Sequence, residues 1–147
     1  MRTLGTNVAL FVWRDELSVG NVLLDNDHRQ LINKVNELFR AMEQRKDKGV
    51  LSELLSAVIE FTREHFKLEE DLMYQMQYLE LSAHKEEHDR LLREMSDMQK
   101  KFVEGKSMLS IHVSRFLNDW VFNHILHDDK ELAAAIREAG HASNRLA

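Results

Sequence analysis

Cysteine is absent from this chain of 147 residues, proline is absent too, and glycine occurs only 5 times. Without cysteine there is neither a disulfide framework nor a thiolate metal site, so any metal held here is held by imidazole and carboxylate. Without proline, and with little glycine, the chain lacks the residues that break helices. No stretch approaches the roughly 20 consecutive apolar residues that a membrane span needs. The opening segment, MRTLGTNVALFVWRDELSVG, carries Arg14, Asp15 and Glu16 and lacks the unbroken apolar stretch of a signal peptide. An excess of charge is lacking as well. Lys and Arg number 20 against 25 Asp and Glu, a net charge of −5 with both signs interspersed, which points away from nucleic acid and anionic membranes. The length suits one domain with a sizeable core. The expectation is a cytoplasmic, single-domain protein that binds neither nucleic acid nor membrane.

What the chain has in quantity is helix formers (Leu, Glu, Lys, Ala, Met) and histidine, of which there are 8. Residues 1–22 read as an arm anchored by Trp13, Leu17 and Val19, residues 23–140 as a helical bundle, and residues 141–147 as a tail. Four apolar stripes at 3–4 spacing predict four helices. The first, about Asp25 to Arg45 with Asp25, Asn26 or Asp27 as cap, carries His28, Leu31, Val35, Leu38, Phe39 and Met42. The second, about Leu51 to Met76, carries Leu55, Val58, Thr62, His65, Glu69 and Met73. The third, about Ser82 to Val103, carries His84, His88, Leu91, Met95 and Phe102. The fourth, about Ser110 to His127, carries Val113, Leu117, Trp120 and His124, followed by a short tail with at most another turn or two. Helices of this length with short connections pack as antiparallel neighbours, so the expected fold is an all-α, up-down-up-down four-helix bundle.

Every one of these stripes carries imidazole on its apolar face, and the second adds a carboxylate. Burying an unpartnered polar group costs about 1–3 kcal/mol, and an unpaired carboxylate costs more. Five imidazoles and a carboxylate converging in one core would exceed the roughly 5–15 kcal/mol net stability of a domain. Coordination removes the conflict, because the lone pairs then point at a cation. The pairs His65/Glu69 and His84/His88 are i, i+4 and share a helical face. In His124-Ile-Leu-His127-Asp128-Asp129, helix geometry favours Asp128, at i+4 from His124, as the companion carboxylate. Seven candidate ligands are too many for one first-row ion and describe a pair; the ligand types suit iron and leave manganese and zinc open. The stretch His84-Lys-Glu-Glu87-His88 also matches the HxxEH pattern of certain zinc peptidases, a reading that leaves His28, His65 and His124 without a purpose.

These residues resemble the hemerythrin family, and specifically its bacterial single-domain members. The family pattern is one early His, then HxxxE, HxxxH and HxxxxD, matched here by His28, by His65 and Glu69, by His84 and His88, and by His124 and Asp129. The resemblance implies two iron ions bridged by an oxo or hydroxo group. His84, His88 and His124 would hold one iron and His28 and His65 the other, leaving a position open, with Glu69 and Asp129 bridging. It also implies reversible binding of dioxygen at the open iron, for storage, delivery or sensing, with an oxygen-consuming enzyme as an unidentified partner, and no catalysis. Leu31, Phe66, Trp120 and Val121 are the apolar neighbours expected around the dioxygen site. The alternative is a di-iron enzyme acting on peroxide or nitric oxide; a site this rich in histidine and poor in carboxylate favours binding over turnover. Three features depart from the family. Asp27 stands where Gln is usual, which suggests a surface or capping difference. The proline common after the tyrosine between the second and third helices is missing at Tyr78-Leu79. His112, His127 and His141 have no place in the pattern and read as surface or helix-end residues, with His127, at i+3 from His124, open to an inward orientation.

Overall fold

The computed structural model describes residues 11–105 and 111–146, without the side chains of residues 111, 112, 114, 121, 122, 126 and 141–146. It consists of a 3₁₀ turn, Asp15–Leu17, and helices α1 (Val22–Glu43), α2 (Lys48–Gln75), α3 (Leu81–Val103), α4 (Ile111–Asn123) and α5 (Lys130–Leu146). A π-helical turn, His124–Asp129, joins α4 to α5 without a break. The architecture is an all-α four-helix bundle in which α4, the π turn and α5 together form the fourth member. None of the described helices is long and apolar enough to cross a membrane.

The starts of α1 and α2 are set by short acceptor side chains. Asn21, not a residue of the 25–27 segment, caps α1, its side chain accepting from the Leu24 N–H at 3.0 Å. Asp25 faces backward instead, accepting from the Val19 N–H at 2.8 Å and from the Ser18 hydroxyl, which fastens the arm. Asp47 caps α2 through the Val50 N–H. The ends of α1 and α2 share one design. Arg45 (φ 56°) and Gln77 (φ 55°) adopt the left-handed conformation, and the following N–H groups reach back, Lys46 to the Ala41 carbonyl and Tyr78 to that of Met73. This closure satisfies helix carbonyls that otherwise have no partner. At the end of α3 the same position is Gly105, φ 76°.

Between α1 and α4 the core is apolar, filled by Val35, Leu38, Phe39, Leu55, Val58, Met95 and Leu117, each wholly buried. The arm closes over this core. Leu17 and Val19 are buried, Trp13 lies under the Arg29 guanidinium at 4.5 Å, and the buried Asn36 amide pairs with both backbone groups of Phe11 at 2.7–2.8 Å. His28 lies near the start of α1, His65 and Glu69 near the end of α2, His84 and His88 near the start of α3, and His124 just after α4. Antiparallel packing therefore gathers all of them at one end of the bundle.

Candidate metal centre

The fourth member of the bundle changes its hydrogen-bond register partway along. Val113, Leu117, Trp120 and His124 are buried at gaps of 3–4, Ile125 is buried beside His124, and Asp129, Leu132 and Ala133 continue the face, with His124 and Asp129 standing five residues apart. That gap coincides with the π turn, where hydrogen bonds close one residue further along the chain than in an α turn. The extra residue shifts everything beyond it by one position. It is Asp129, wholly buried, that stands next to His124 inside the bundle, while the Asp128 side chain remains 40% exposed. Helix geometry had favoured Asp128; the π turn is the reason Asp129 takes the inner place. The helix does not stop here either, but runs on through α5 to Leu146, beyond the turn or two expected from sequence.

Seven side chains, at most 6% exposed, meet at this end: His28, His65, Glu69, His84, His88, His124 and Asp129. Their donor atoms fall into two groups with all members within 4.8 Å of one another, His28, His65, Glu69 and Asp129 in one and Glu69, His84, His88 and His124 in the other. Each carboxylate divides its oxygens between the two. Glu69 Oε2 lies 2.8 Å from His65 Nε2, whereas Oε1 lies 3.1 Å from both His84 Nε2 and His88 Nε2. Asp129 Oδ2 lies 2.7 Å from His28 Nε2, whereas Oδ1 lies 3.0 Å from His124 Nε2 and 3.5 Å from His84 Nε2. The result is one centre with two imidazoles on one side, three on the other, and two carboxylates across the middle.

The donor atoms also test whether a metal fits. The Nε2 atoms of His65, His88 and His124, Glu69 Oε2 and Asp129 Oδ1 are all buried without a hydrogen-bond partner. They stand in close imidazole–carboxylate pairs at 2.8–3.1 Å, an arrangement that a cation between them would satisfy better. Two divalent cations, one per group, would engage all five at once. The electrostatics agree. Burial pushes the Glu69 and Asp129 carboxyls up, but the imidazoles, His65 foremost for Glu69 and His124 for Asp129, hold both well below the ordinary carboxylate range. Burial pushes the histidines down, yet the same carboxylates carry His65 and His124 well above 6.5 and His84 to about 9. Two ionised carboxylates at the centre of a dry core are a strong attraction for cations.

Behind the donors stands a second set of acids. Asp27 Oδ2 lies 2.9 Å from His65 Nδ1, Glu70 Oε2 lies 2.8 Å from His88 Nδ1, and Asp128 Oδ2 lies 3.6 Å from His124 Nδ1. Asp27 and Glu70 fix their rings with Nε2 facing the centre, whereas Asp128, at 3.6 Å, makes no hydrogen bond to His124. Asp27 is thus no cap and no mere surface variation; it orients a ligand on another helix. Sequence reasoning missed Asp27 and Glu70, and the available signal was adjacency, since each directly neighbours a ligand in the chain (His28, Glu69).

Aromatic rings close the three-imidazole side. Phe66 stacks on His88 with centroids 3.7 Å apart, and Trp120 lies nearly parallel to His124 at 6.3 Å. Phe66 also stands 6.2 Å from His65. Leu31 is buried in the core, and the side chain of Val121 lies outside the described residues, as do those of His112 and His141. His127 is exposed, which leaves it out of the centre. Glu87, the would-be base of the zinc-peptidase pattern, is bound to the Arg90 guanidinium on the surface.

Residues 19–136 match the family model described as "Hemerythrin HHE cation binding domain". The chain is 31% identical over 132 residues to a bacteriohemerythrin of Pseudomonas aeruginosa (strain LESB58), covering 90% of this chain and 85% of the relative. It is 34% identical over 124 residues to one of Methylococcus capsulatus, covering 84% and 94%. Among solved structures, a crystal structure of wild-type hemerythrin superposes with a TM-score of 0.80 at 32% identity, covering 86% of this chain and 98% of the other.

Proposed function

We propose that this chain, which belongs to the hemerythrin family, holds two iron ions in its bundle and binds dioxygen reversibly. One observation carries the reading: Glu69 and Asp129 each divide their two oxygens between a pair and a trio of buried imidazoles. Carboxylates so placed serve as bridges, and unequal imidazole numbers leave the His28/His65 side one ligand short of the other. Iron in preference to manganese or zinc, and an oxo or hydroxo group completing the bridge, belong to the same proposal. When bound, the iron pair supplies the electrons that dioxygen takes up on binding and returns on release.

The chain's own residues do the rest. Asp27 holds His65, and Glu70 holds His88, each through an Nδ1 contact under 3 Å. Phe66 and Trp120 pack against the His88 and His124 rings of the trio, and the bundle buries the remaining donors. A site with five imidazoles and two carboxylates suits binding without turnover, so the chain is read as a carrier or store and not as an enzyme. The test is stopped-flow spectroscopy of the reduced, iron-loaded protein. Mixing with dioxygen should give a visible absorption band that disappears on deoxygenation and returns through several cycles, in protein holding about two irons per chain. Immediate one-way oxidation, or retention of a single zinc after growth in iron-replete medium, overturns the reading.

A further inference from the structure

Metal ions have to reach ligands that are almost wholly buried, and two surface clefts lead to them. The larger, about 350 Å³, is lined by Tyr78, Glu80, Ala83, His84, Glu87, Asp128 and Glu131. It is lined by four acids and a single imidazole, that of His84. Glu87 pairs with Arg90 and Asp128 faces His124 at 3.6 Å, whereas Glu80 and Glu131 make no ion pair among the described residues. The adjoining cleft, about 160 Å³, shares Glu87 and Asp128 and is lined at its base by His124.

Acidity alone would not mark a site; the second observation is His124. It is 4% exposed, and its Nδ1 has no hydrogen-bond partner, facing Asp128 Oδ2 at 3.6 Å. A buried, unpartnered imidazole nitrogen thus looks onto the acid common to both clefts, while its Nε2 faces the bridging Asp129 at 3.0 Å. His84 stands likewise between the larger cleft and Glu69, 3.1 Å from Oε1. Glu80, Glu131 and Asp128 line the larger cleft with His84, Asp128 and His124 line the adjoining one, and the two histidines face Glu69 and Asp129 within. The Tyr78 phenol registers the field: burial and then Glu131, Glu80 and Asp128 push it above its ordinary value.

We propose that this acidic cleft captures hydrated divalent metal ions and passes them inward past His84 and His124, so that the three-imidazole side is the port of loading. The inference rests on the reading of the core as a two-metal centre. A cleft of net negative charge concentrates cations and raises their association rate by about 10-fold or more. Glu80 and Glu131 are exposed and are not ligands, so they act on capture and not on retention.

The test mixes metal-free full-length protein with ferrous ion under anaerobic conditions and measures retained iron against time by chelator quench. Glu80→Gln/Glu131→Gln should slow uptake about 10-fold at low salt, and roughly 1 M salt, where the Debye length is about 3 Å, should remove most of the difference. Both proteins should finish with the same metal content. Glu37→Gln/Glu53→Gln, which removes two exposed acids far from the cleft, should load like the parent. Ala83→Lys, which puts a base among the cleft's acids, should slow loading in the same salt-dependent way. Equal rates for all variants with full final loading overturn the port while leaving the centre intact, and so does a slowing that salt fails to reduce. A parent protein that retains no metal overturns the centre and the port together.

Discussion

Glu69 and Asp129 each face both groups of buried imidazoles, and in the proposed two-metal centre their removal should be felt differently from that of any neighbouring acid. Glu69→Ala or Asp129→Ala takes away a donor shared by both positions, so each variant should lose at least one metal and the absorption of a coupled pair. Asp128→Ala removes only an outer contact at 3.6 Å and should keep both metals. Metal analysis with visible spectroscopy checks the ranking, and an Asp128 variant worse than the Asp129 variant would contradict the π-turn assignment. Asp27→Ala leaves every donor in place but frees the His65 ring; loss of such an outer partner typically weakens metal binding by about 10–100-fold. Chelator competition measures that directly, and unchanged affinity would show that packing alone orients His65. The five histidines and Glu69 were legible in the sequence because polar groups on an apolar stripe are costly and therefore conspicuous, whereas Asp129 was indicated by the family resemblance against helix spacing. Asp27 and Glu70 were not legible, because each supports a histidine on another helix, and helical periodicity carries no information about what lies across an interface.

At the scale of elements, the first three helices follow their periodicity, and the departures have identifiable causes. The start of α1 lies before the expected caps because Asp25 is engaged with Ser18 and Val19, leaving Asn21 to take the free N–H groups. The fourth helix was the hardest to read. His124 and Asp129 stand five apart, a spacing that in a periodic reading looks like the end of a helix, whereas the chain absorbs the extra residue in a π turn and continues. The spacing of His124 and Asp129 is thereby both the anomaly and the functional feature. The two left-handed helix ends allow a separate prediction. Gln77 is exposed and holds φ 55°, a conformation that disfavours residues with a Cβ by about 1–2 kcal/mol. Gln77→Gly removes that strain at a smaller entropic cost in the unfolded chain, so stability should rise by about 0.5–1 kcal/mol. A urea midpoint that moves up with an unchanged slope confirms it, and a lower midpoint would mean that the Gln77 side chain contributes contacts of its own.

On the scale of the whole molecule, the bundle joins a conventional apolar core to a core end that is held by charge, and pH acts on that end in two opposite ways. In metal-free protein, His65, His84 and His124 are raised above their ordinary 6.5 by Glu69 and Asp129. Groups raised on folding contribute stability that is fully present below the unfolded value and is lost as pH rises through the folded one, which for His84 is about 9. The two carboxylates, lowered on folding, contribute stability present above the unfolded carboxylate range near 4 and lost as pH falls below it. Metal-free protein should therefore be most stable between about pH 4.5 and 6.5 and weaken steadily toward pH 9. Metal reverses the histidine contribution. Its ligands must be neutral imidazoles, so protons compete with it, and loading at neutral pH should release protons from these three rings. Stability gained from metal should thus be small near pH 6 and grow toward pH 9, as the proton's hold on the same nitrogens fails. Melting temperatures of the metal-free and iron-loaded forms, followed across that range, should diverge with rising pH, the metal-free curve falling while the loaded curve stays level or climbs. Parallel curves would mean that the buried histidines are neutral without metal, and that Glu69 and Asp129 do not keep them protonated.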